Sequence, residues 1–231
     1  MLALILSYLH IGTPSNPPSR AMTRILVVDD HELLRRGLRD ILTGSFPELV
    51  LEEAPDARTA LAAVEKEPCD LALVDINLPG RNGLDLLQDL RRLYPRMPVI
   101  VLTAFPEKDY ALRAFKLGAA GYVTKHSAEG ELLRAVRKAL TGGHYVTPSL
   151  AETFAAVLAG EAPEAPHESL SNRELQVLCA VARGKTLKET AVDLGLSEKT
   201  IGTYRTRISQ KLGLGTNVEL ARYAERHQLI D

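Results

Sequence analysis

The sequence predicts an α/β fold: a five-stranded parallel sheet, doubly wound with helices on both faces, followed by a small all-α domain of four helices. Three patterns carry this expectation. Short apolar runs alternate with amphipathic helical stripes from Arg24 to Leu140. A Pro-stiffened acidic stretch, Gly160–His167, has no apolar periodicity and reads as a tether. From Ser169 onward the pattern becomes wholly helical, with a capping signal ahead of each helix.

In chain order, Arg24-Ile-Leu-Val-Val-Asp29-Asp30 is a buried strand ending on two adjacent acids, and a helix follows from about His31 to Leu42 with Leu34, Leu38, Ile41 and Leu42 on one stripe. Leu49–Ala54 is the second strand, and Asp56 caps a helix through Ala60, Leu61 and Val64. Leu71–Val74 is a strand buried on both faces, ending at Asp75. A Pro79-Gly80 turn and Gly83 lead into a helix carrying Leu84, Leu87 and Leu90. Pro98–Thr103 is the fourth strand, and Glu107–Leu117 a helix stopped at Gly118. Gly121–Lys125 is the fifth strand, and Ala128–Leu140 the last helix before Gly142-Gly143.

At 231 residues the chain has room for one large or two small domains. Lys and Arg number 28 against 29 Asp and Glu, so overall charge points to no partner. Cys69 and Cys179 lie far apart among apolar neighbours, which suits buried thiols in a reducing compartment rather than a metal cluster or disulfide framework. Without Trp and with few aromatics, stacking on single-stranded nucleic acid is not the expected mode of action. Leu2–Leu9 is apolar but well short of the roughly 20 residues that span a bilayer. No basic residue precedes it, and Pro14, Pro17 and Pro18 follow. Residues 1–21 are therefore expected to be a disordered leader or a gene-model extension ahead of a start at Met22, with a short membrane-surface anchor as the alternative.

One strand-end Asp alone is a turn cap. Here, however, the ends of four strands place Asp29, Asp30, Asp75, Thr103 and Lys125 on one rim. Three clustered carboxylates repel one another, and burying them is costly unless a cation is present. A hard divalent ion such as Mg²⁺ resolves this and keeps positions open for phosphate oxygens. A hydroxyl and an ammonium can hold the remaining phosphate oxygens, and a carboxylate can serve as nucleophile.

This set, each member at the end of its own strand, resembles the receiver domain of two-component response regulators, a flavodoxin-like fold, over about Thr23–Gly143. The resemblance implies Asp75 as phospho-acceptor and Mg²⁺ held directly by Asp30, Asp75 and the backbone carbonyl of Asn77, with Asp29 acting mainly through water. Thr103 and Lys125 would each meet a phosphoryl oxygen, and Tyr122 matches the aromatic position that turns inward when Thr103 moves. One departure is His126, where receivers often have Pro.

The boundaries read as a receiver at 23–143, a linker with a short helix at 144–168, and a helical domain at 169–231. Ser171…Glu174, Thr186…Glu189 and Thr216…Glu219 have capping-box spacing, and Ser197 is a fourth N-cap. Helices are expected at about Asn172–Ala182, Leu187–Leu194, Glu198–Leu212 and Asn217–His227. Two of them flank the tight turn Gly195-Leu196-Ser197, the outline of a helix-turn-helix. Lys199, Arg205, Arg207 and Lys211 occur with no acid between Lys199 and Lys211, the footprint of a segment against DNA phosphates; a solvated basic face is the alternative.

Leu170–Leu178, Lys188–Ala191 and Leu196–Leu212 look like the LuxR-type DNA-binding domain, and with a receiver they resemble the NarL/FixJ class. That resemblance places Glu198–Leu212 in the major groove, with Lys199, Thr200, Arg205, Arg207 and Lys211 toward phosphates. Gly202 stands where many relatives have Lys, leaving Thr203 and Thr206 as readers. The function implied is a cytoplasmic, phosphorylation-switched transcriptional regulator rather than an enzyme, partnered by double-stranded DNA and a sensor histidine kinase and dimeric on DNA, with the resting receiver covering Glu198–Leu212. The alternative is the same architecture with an unphosphorylated receiver as a dimerisation module. A hydrolase using Asp75 would usually need an acid two residues later, where Asn77 stands.

Overall fold

The computed structural model describes residues 22–105, 107–159, 166–227 and 229–230. The expected leader and residues 160–165 of the tether lie outside the described residues. The N-terminal domain is an all-parallel sheet in the order β2-β1-β3-β4-β5, made of β1 (Thr23–Val28), β2 (Leu49–Ala54), β3 (Leu71–Val74), β4 (Val99–Thr103) and β5 (Gly121–Thr124). The helices are α1 (Glu32–Ser45), α2 (Ala57–Lys66), α3 (Gly83–Leu93), α4 (Glu107–Lys116) and α5 (Glu129–Leu140). Because side chains alternate along a strand, each strand feeds two cores. Leu26, Val28, Ala72, Val74, Val99 and Val101 pack toward α2, α3 and α4, while Ile25, Val27, Leu71, Leu73, Ile100 and Leu102 pack toward α1 and α5.

Chain order reverses across β1, which lies between β2 and β3, so the crevice for ligands opens beyond the carboxyl ends of β1 and β3. Register then assembles the rim. Val28 lies opposite Val74 and the Asp75 N–H donates to the Val28 carbonyl at 2.9 Å, which sets Asp29 beside Asp75. Thr103 lies opposite Thr124, and the Lys125 N–H donates to the Thr103 carbonyl at 2.7 Å. Gly83 is required by close approach, since a Cβ there would lie 1.8 Å from the Asp75 carbonyl oxygen. A larger residue would push the end of β3 out of place.

Two helix starts are set by local hydrogen bonds and capping rather than by the apolar pattern. His31 does not open α1; its backbone stays extended and its N–H donates to Asp29 Oδ1 at 2.9 Å, turning it toward the acids. The linker helix α6 (Pro148–Leu158) starts ahead of the apolar pattern, which predicts a helix over Ala151–Leu158, because Thr147 caps it and Pro148 suits its first turn. It packs on α4, with the Phe115 and Phe154 rings edge to face at 5.1 Å and Leu150 buried. Thr147 and Ser149 both donate to Glu107 at the start of α4, at 2.8 and 3.0 Å.

A short 3-10 helix (Pro166–Ser169), not foreseen in the sequence, leads into α7 (Asn172–Ala182), α8 (Leu187–Leu194), α9 (Glu198–Leu212) and α10 (Asn217–Arg226). All three expected capping boxes form, and Ser197 caps α9 as the sequence implies. Gly195 and Gly213 close α8 and α9 in the left-handed region at φ of 62° and 68°. Both cysteines are buried.

Candidate functional site, an acidic cavity beneath a helical roof

Asp29 and Asp75 are each 2% exposed, and Asp30 stands at the solvent edge. Lys125 Nζ lies 2.6 Å from both Asp29 Oδ2 and Asp75 Oδ2, so one ammonium bridges two buried carboxylates. Burial pushes the Asp75 carboxyl above its ordinary range, although Lys125 pulls the other way. Burial also opposes charge on Lys125, yet Asp75 and Asp29 together hold its pKa above the usual amine value. Asp75 Oδ1 is buried with no hydrogen-bond partner, a free acceptor in a site dominated by negative charge. Asp29, Asp30, His31 and Asp75 can each bring one ligand atom within 4.8 Å of the others. A hard, oxygen-preferring divalent cation fits this donor set and its orphaned oxygen. His31 was not anticipated: its Nδ1 lies 2.8 Å from Asp30 Oδ1 and 3.1 Å from Asp29 Oδ1. Its position directly after the two acids was the available signal.

Thr103 is fully buried at the end of β4, and its Oγ1 accepts from the Phe105 N–H at 3.4 Å. Tyr122 is fully buried too, and its hydroxyl donates to the Phe105 carbonyl at 2.9 Å. Both side chains therefore hold one residue, two positions ahead of α4. No cis peptide occurs among the described residues, and His126 follows Lys125 through an ordinary trans bond.

In the helical domain, α8, the Gly195–Ser197 turn and α9 form the expected helix-turn-helix, with Ile201 and Ile208 buried. Thr203, Thr206 and Arg207 are exposed, and Gly202 has open space where a Cβ would stand. The Thr203 and Thr206 hydroxyls donate back to the Lys199 and Gly202 carbonyls at 3.0 and 3.1 Å. Each thus turns a methyl and spare acceptor lone pairs outward. Lys199 is exposed and Thr200 pairs with Ser197 at 2.8 Å. Two of the four cations have partners inside the domain. Arg205 donates to Asn217 Oδ1 at 2.8 Å, and Lys211 reaches Glu174 Oε2 at 2.6 Å.

Residues 25–137 match the response regulator receiver domain, and residues 168–224 match the LuxR family of bacterial regulatory proteins. The response regulator GacA of Pseudomonas aeruginosa is 34% identical over 211 residues, covering 91% of this chain and 99% of that one. UvrY of Escherichia coli, also a response regulator, is 34% identical over 209 residues, covering 90% and 96%. The RcsB response regulator of Salmonella typhimurium shares the fold at a TM-score of 0.64 and 24% identity, covering 89% of this chain and 98% of that one. The chain belongs to the two-component response regulators of the NarL/FixJ class. It is a phosphorylation-dependent transcriptional regulator with a LuxR-type DNA-binding domain.

In this response regulator the two domains are docked. Arg113 of α4 donates to the Leu170, His167 and Glu168 carbonyls at 2.8, 3.2 and 3.3 Å and to Asn172 Oδ1 at 3.2 Å. Lys116 pairs with Glu168 at 2.7 Å, and Asn172 donates to Asp85 of α3 at 2.7 Å. Next to the acidic site, Arg173 donates to the Leu78 carbonyl at 2.8 Å, and the Asn77 amide donates to the Asp193 carbonyl at 3.0 Å. The core on the α3–α4 side runs on into Leu170, Leu175 and Leu178 of the effector domain. This corrects one expectation. The receiver grips the start of α7 and the end of α8, while Thr203, Thr206 and Arg207 of α9 stay open to solvent.

Proposed function

We propose that Asp75 accepts a phosphoryl group from a sensor histidine kinase and that the modification undocks the effector domain so that two copies bind double-stranded DNA. One observation supports this above the others: Asp30, Asp75, Asn77, Thr103 and Lys125 line one cavity whose opposite wall belongs to the effector domain. Asp30, Asp75 and the backbone carbonyl of Asn77 would hold Mg²⁺, with Asp29 joined through water. Mg²⁺ supplies charge neutralisation and orients the phosphoryl oxygens. Lys125 exchanges one carboxylate for a phosphoryl oxygen.

Thr103 turns its hydroxyl to another phosphoryl oxygen and releases Phe105, whose carbonyl Tyr122 still holds. The start of α4 then shifts, and with it Arg113, the main receiver contact to the 3-10 helix and α7. On DNA, Lys199, Thr200 and Arg207 face phosphates, and Thr203 and Thr206 read base edges across the open Gly202. Arg205 and Lys211 can add to this field while keeping their internal partners. Pairing of two effector domains through α10, where Val218 is exposed, supplies affinity a single module lacks. Among the described residues no helix is long and apolar enough to cross a membrane, and the reading places the regulator in the cytoplasm.

The deciding experiment treats the full chain with acetyl phosphate and Mg²⁺ and follows modification on a phosphate-affinity gel. The expected result is one shifted species, absent in Asp75→Asn and absent without the metal. Modification of Asp75→Asn refutes the assignment. A gel shift on the regulator's own upstream DNA, with and without phosphodonor, reads the output.

A further inference from the structure

The cavity over Asp75, about 440 Å³, has an effector-domain roof that includes Gln176 of α7 and Asp193 of α8. Gln176 is 2% exposed, and its Nε2 has no hydrogen-bond partner. Its orientation follows from chemistry. Arg173 Nη1 lies 2.7 Å from Gln176 Oε1, and a guanidinium only donates, so the oxygen faces Arg173 and the NH₂ group faces away. Arg173 Nη2 is fixed in turn on the Leu78 carbonyl at 2.8 Å. The amide is thus registered to the loop that follows Asp75. A buried donor without a partner is costly, and such groups in native proteins call for a reason.

We infer that Gln176 is a positioning residue for hydrolysis of phospho-Asp75 in the docked state: its Nε2 orients the attacking water, so the effector domain hastens loss of the phosphoryl group that releases it. This rests on Asp75 being the phospho-acceptor. An in-line arrangement needs about 8 Å between the Asp75 carboxylate and the amide, with water about 3.2 Å from phosphorus and about 2.9 Å from Nε2. Asp75 and Gln176 line the same cavity of about 440 Å³, which has room for a phosphoryl group and an attacking water between them. In the step, a water oxygen bonds to phosphorus as the P–O bond to Asp75 breaks. The bonding pair returns to the Asp75 carboxylate, and the water protons remain on the departing inorganic phosphate. No other reactant is needed. An amide that orients the attacking water is an established device in phosphoryl hydrolysis elsewhere.

The consequence is a timer tied to domain position. While the effector domain is away on DNA, Gln176 is absent from the site and the phosphoryl group persists. On return, hydrolysis quickens and the docked state is restored.

The structure supplies a test that fixes docking independently of Gln176. A Cβ on Gly195 would lie 3.7 Å from Pro79 Cβ, within the spacing of a disulfide. Pro79→Cys with Gly195→Cys therefore staples the domains in the full chain, with some backbone strain at the left-handed Gly195 (φ 62°), while Cys69 and Cys179 stay buried. The chain is phosphorylated with acetyl phosphate in the reduced form, freed of donor and oxidised, and inorganic phosphate release is timed. Stapling is expected to speed release about tenfold with Gln176 and to have no effect with Gln176→Leu. A structural role for Gln176 would not produce this difference, because the staple enforces docking in both. Equal release from the two stapled chains, or no acceleration by the staple, overturns the inference while leaving Asp75 as acceptor. Failure of any chain to take up phosphate, with the Asp75→Asn chain indistinguishable, overturns both readings.

Discussion

Replacing Arg113 with Met tests how the docked state is held. The substitution keeps an unbranched apolar stem but removes every donor. It leaves the Leu170, His167 and Glu168 carbonyls and Asn172 Oδ1 without their guanidinium. Hydrogen bonds to a charged group contribute about 1.5–3 kcal/mol each, but these acceptors can rehydrate once the domains part, so the loss is well below the sum. A docking loss of about 2–3 kcal/mol is expected, which lowers the ratio of docked to undocked chains about 30- to 150-fold. The assay is the distance between labels on Leu93→Cys and Val218→Cys, residues 53% and 60% exposed on opposite domains. Cys69 and Cys179, 7% and 0% exposed, compete little for the label. The parent chain should give a narrow distribution and Arg113→Met a broad, longer one. The parent given acetyl phosphate and Mg²⁺ should shift the same way. An unchanged narrow distribution in Arg113→Met would show that this contact does not hold the domains together, and the route from Thr103 through α4 would be wrong.

Four further outcomes follow from the same contacts. Asp75 has a raised pKa, so its contribution to stability is full at low pH and is lost as pH rises through the folded value. At neutral pH without Mg²⁺, Asp75→Asn should therefore melt above the parent, and Mg²⁺ at ten times its Kd should return about 1.4 kcal/mol to the parent alone. Gly202→Ala should raise effector-domain stability by about 0.5–1 kcal/mol in thermal unfolding, because nothing lies within 4 Å of a new Cβ; Gly202→Lys should also steepen the salt dependence of DNA binding by about one unit. Arg207→Met should reduce that salt slope by about one unit, whereas Lys211→Met should chiefly destabilise the domain, since it strips the nearly buried Glu174 of its cation. Burial, with His227 and Arg113 nearby, depresses His167 to about 4; its stabilisation of the docked junction is present above the unfolded value of about 6.5 and falls away as pH drops toward 4, so the label distance should lengthen on acidification from pH 7.5 to 5.5.

The strand ends were legible because parallel strands buried on both faces read as unbroken apolar runs, and the first polar residue after each run must lie on the carboxyl rim. Asp29, Asp75 and Thr103 are of this kind, Lys125 follows one residue later, after Thr124, and pairing of Val28 with Val74 then sets two of them side by side without further information. Capping boxes were equally plain, being satisfied within four residues of chain. The docking contacts were not. Arg173 finds the Leu78 carbonyl across 95 positions, and Asn77 finds the Asp193 carbonyl across 116. Their targets are backbone oxygens, which every residue has, so no pattern in the sequence marks them. On the page, Arg173 and Gln176 are two polar residues one helical turn apart, and a solvated face is their ordinary reading.

Burial separates these two meanings. Arg173, Glu174 and Gln176 are 6%, 3% and 2% exposed, three polar groups at the start of α7 removed from water. Glu174 is satisfied by Ser171 and Lys211, and burial raising its pKa is outweighed by those partners. It is therefore a structural group of the effector domain wherever that domain sits. Arg173 is satisfied in part by the receiver, and Gln176 Nε2 by nothing among the described residues. When the domains separate, Arg173 exchanges the Leu78 carbonyl for water while Glu174 keeps its partners. The polar end of α7 thus makes docking reversible: it ties the effector domain to the loop after Asp75 through groups that water can replace.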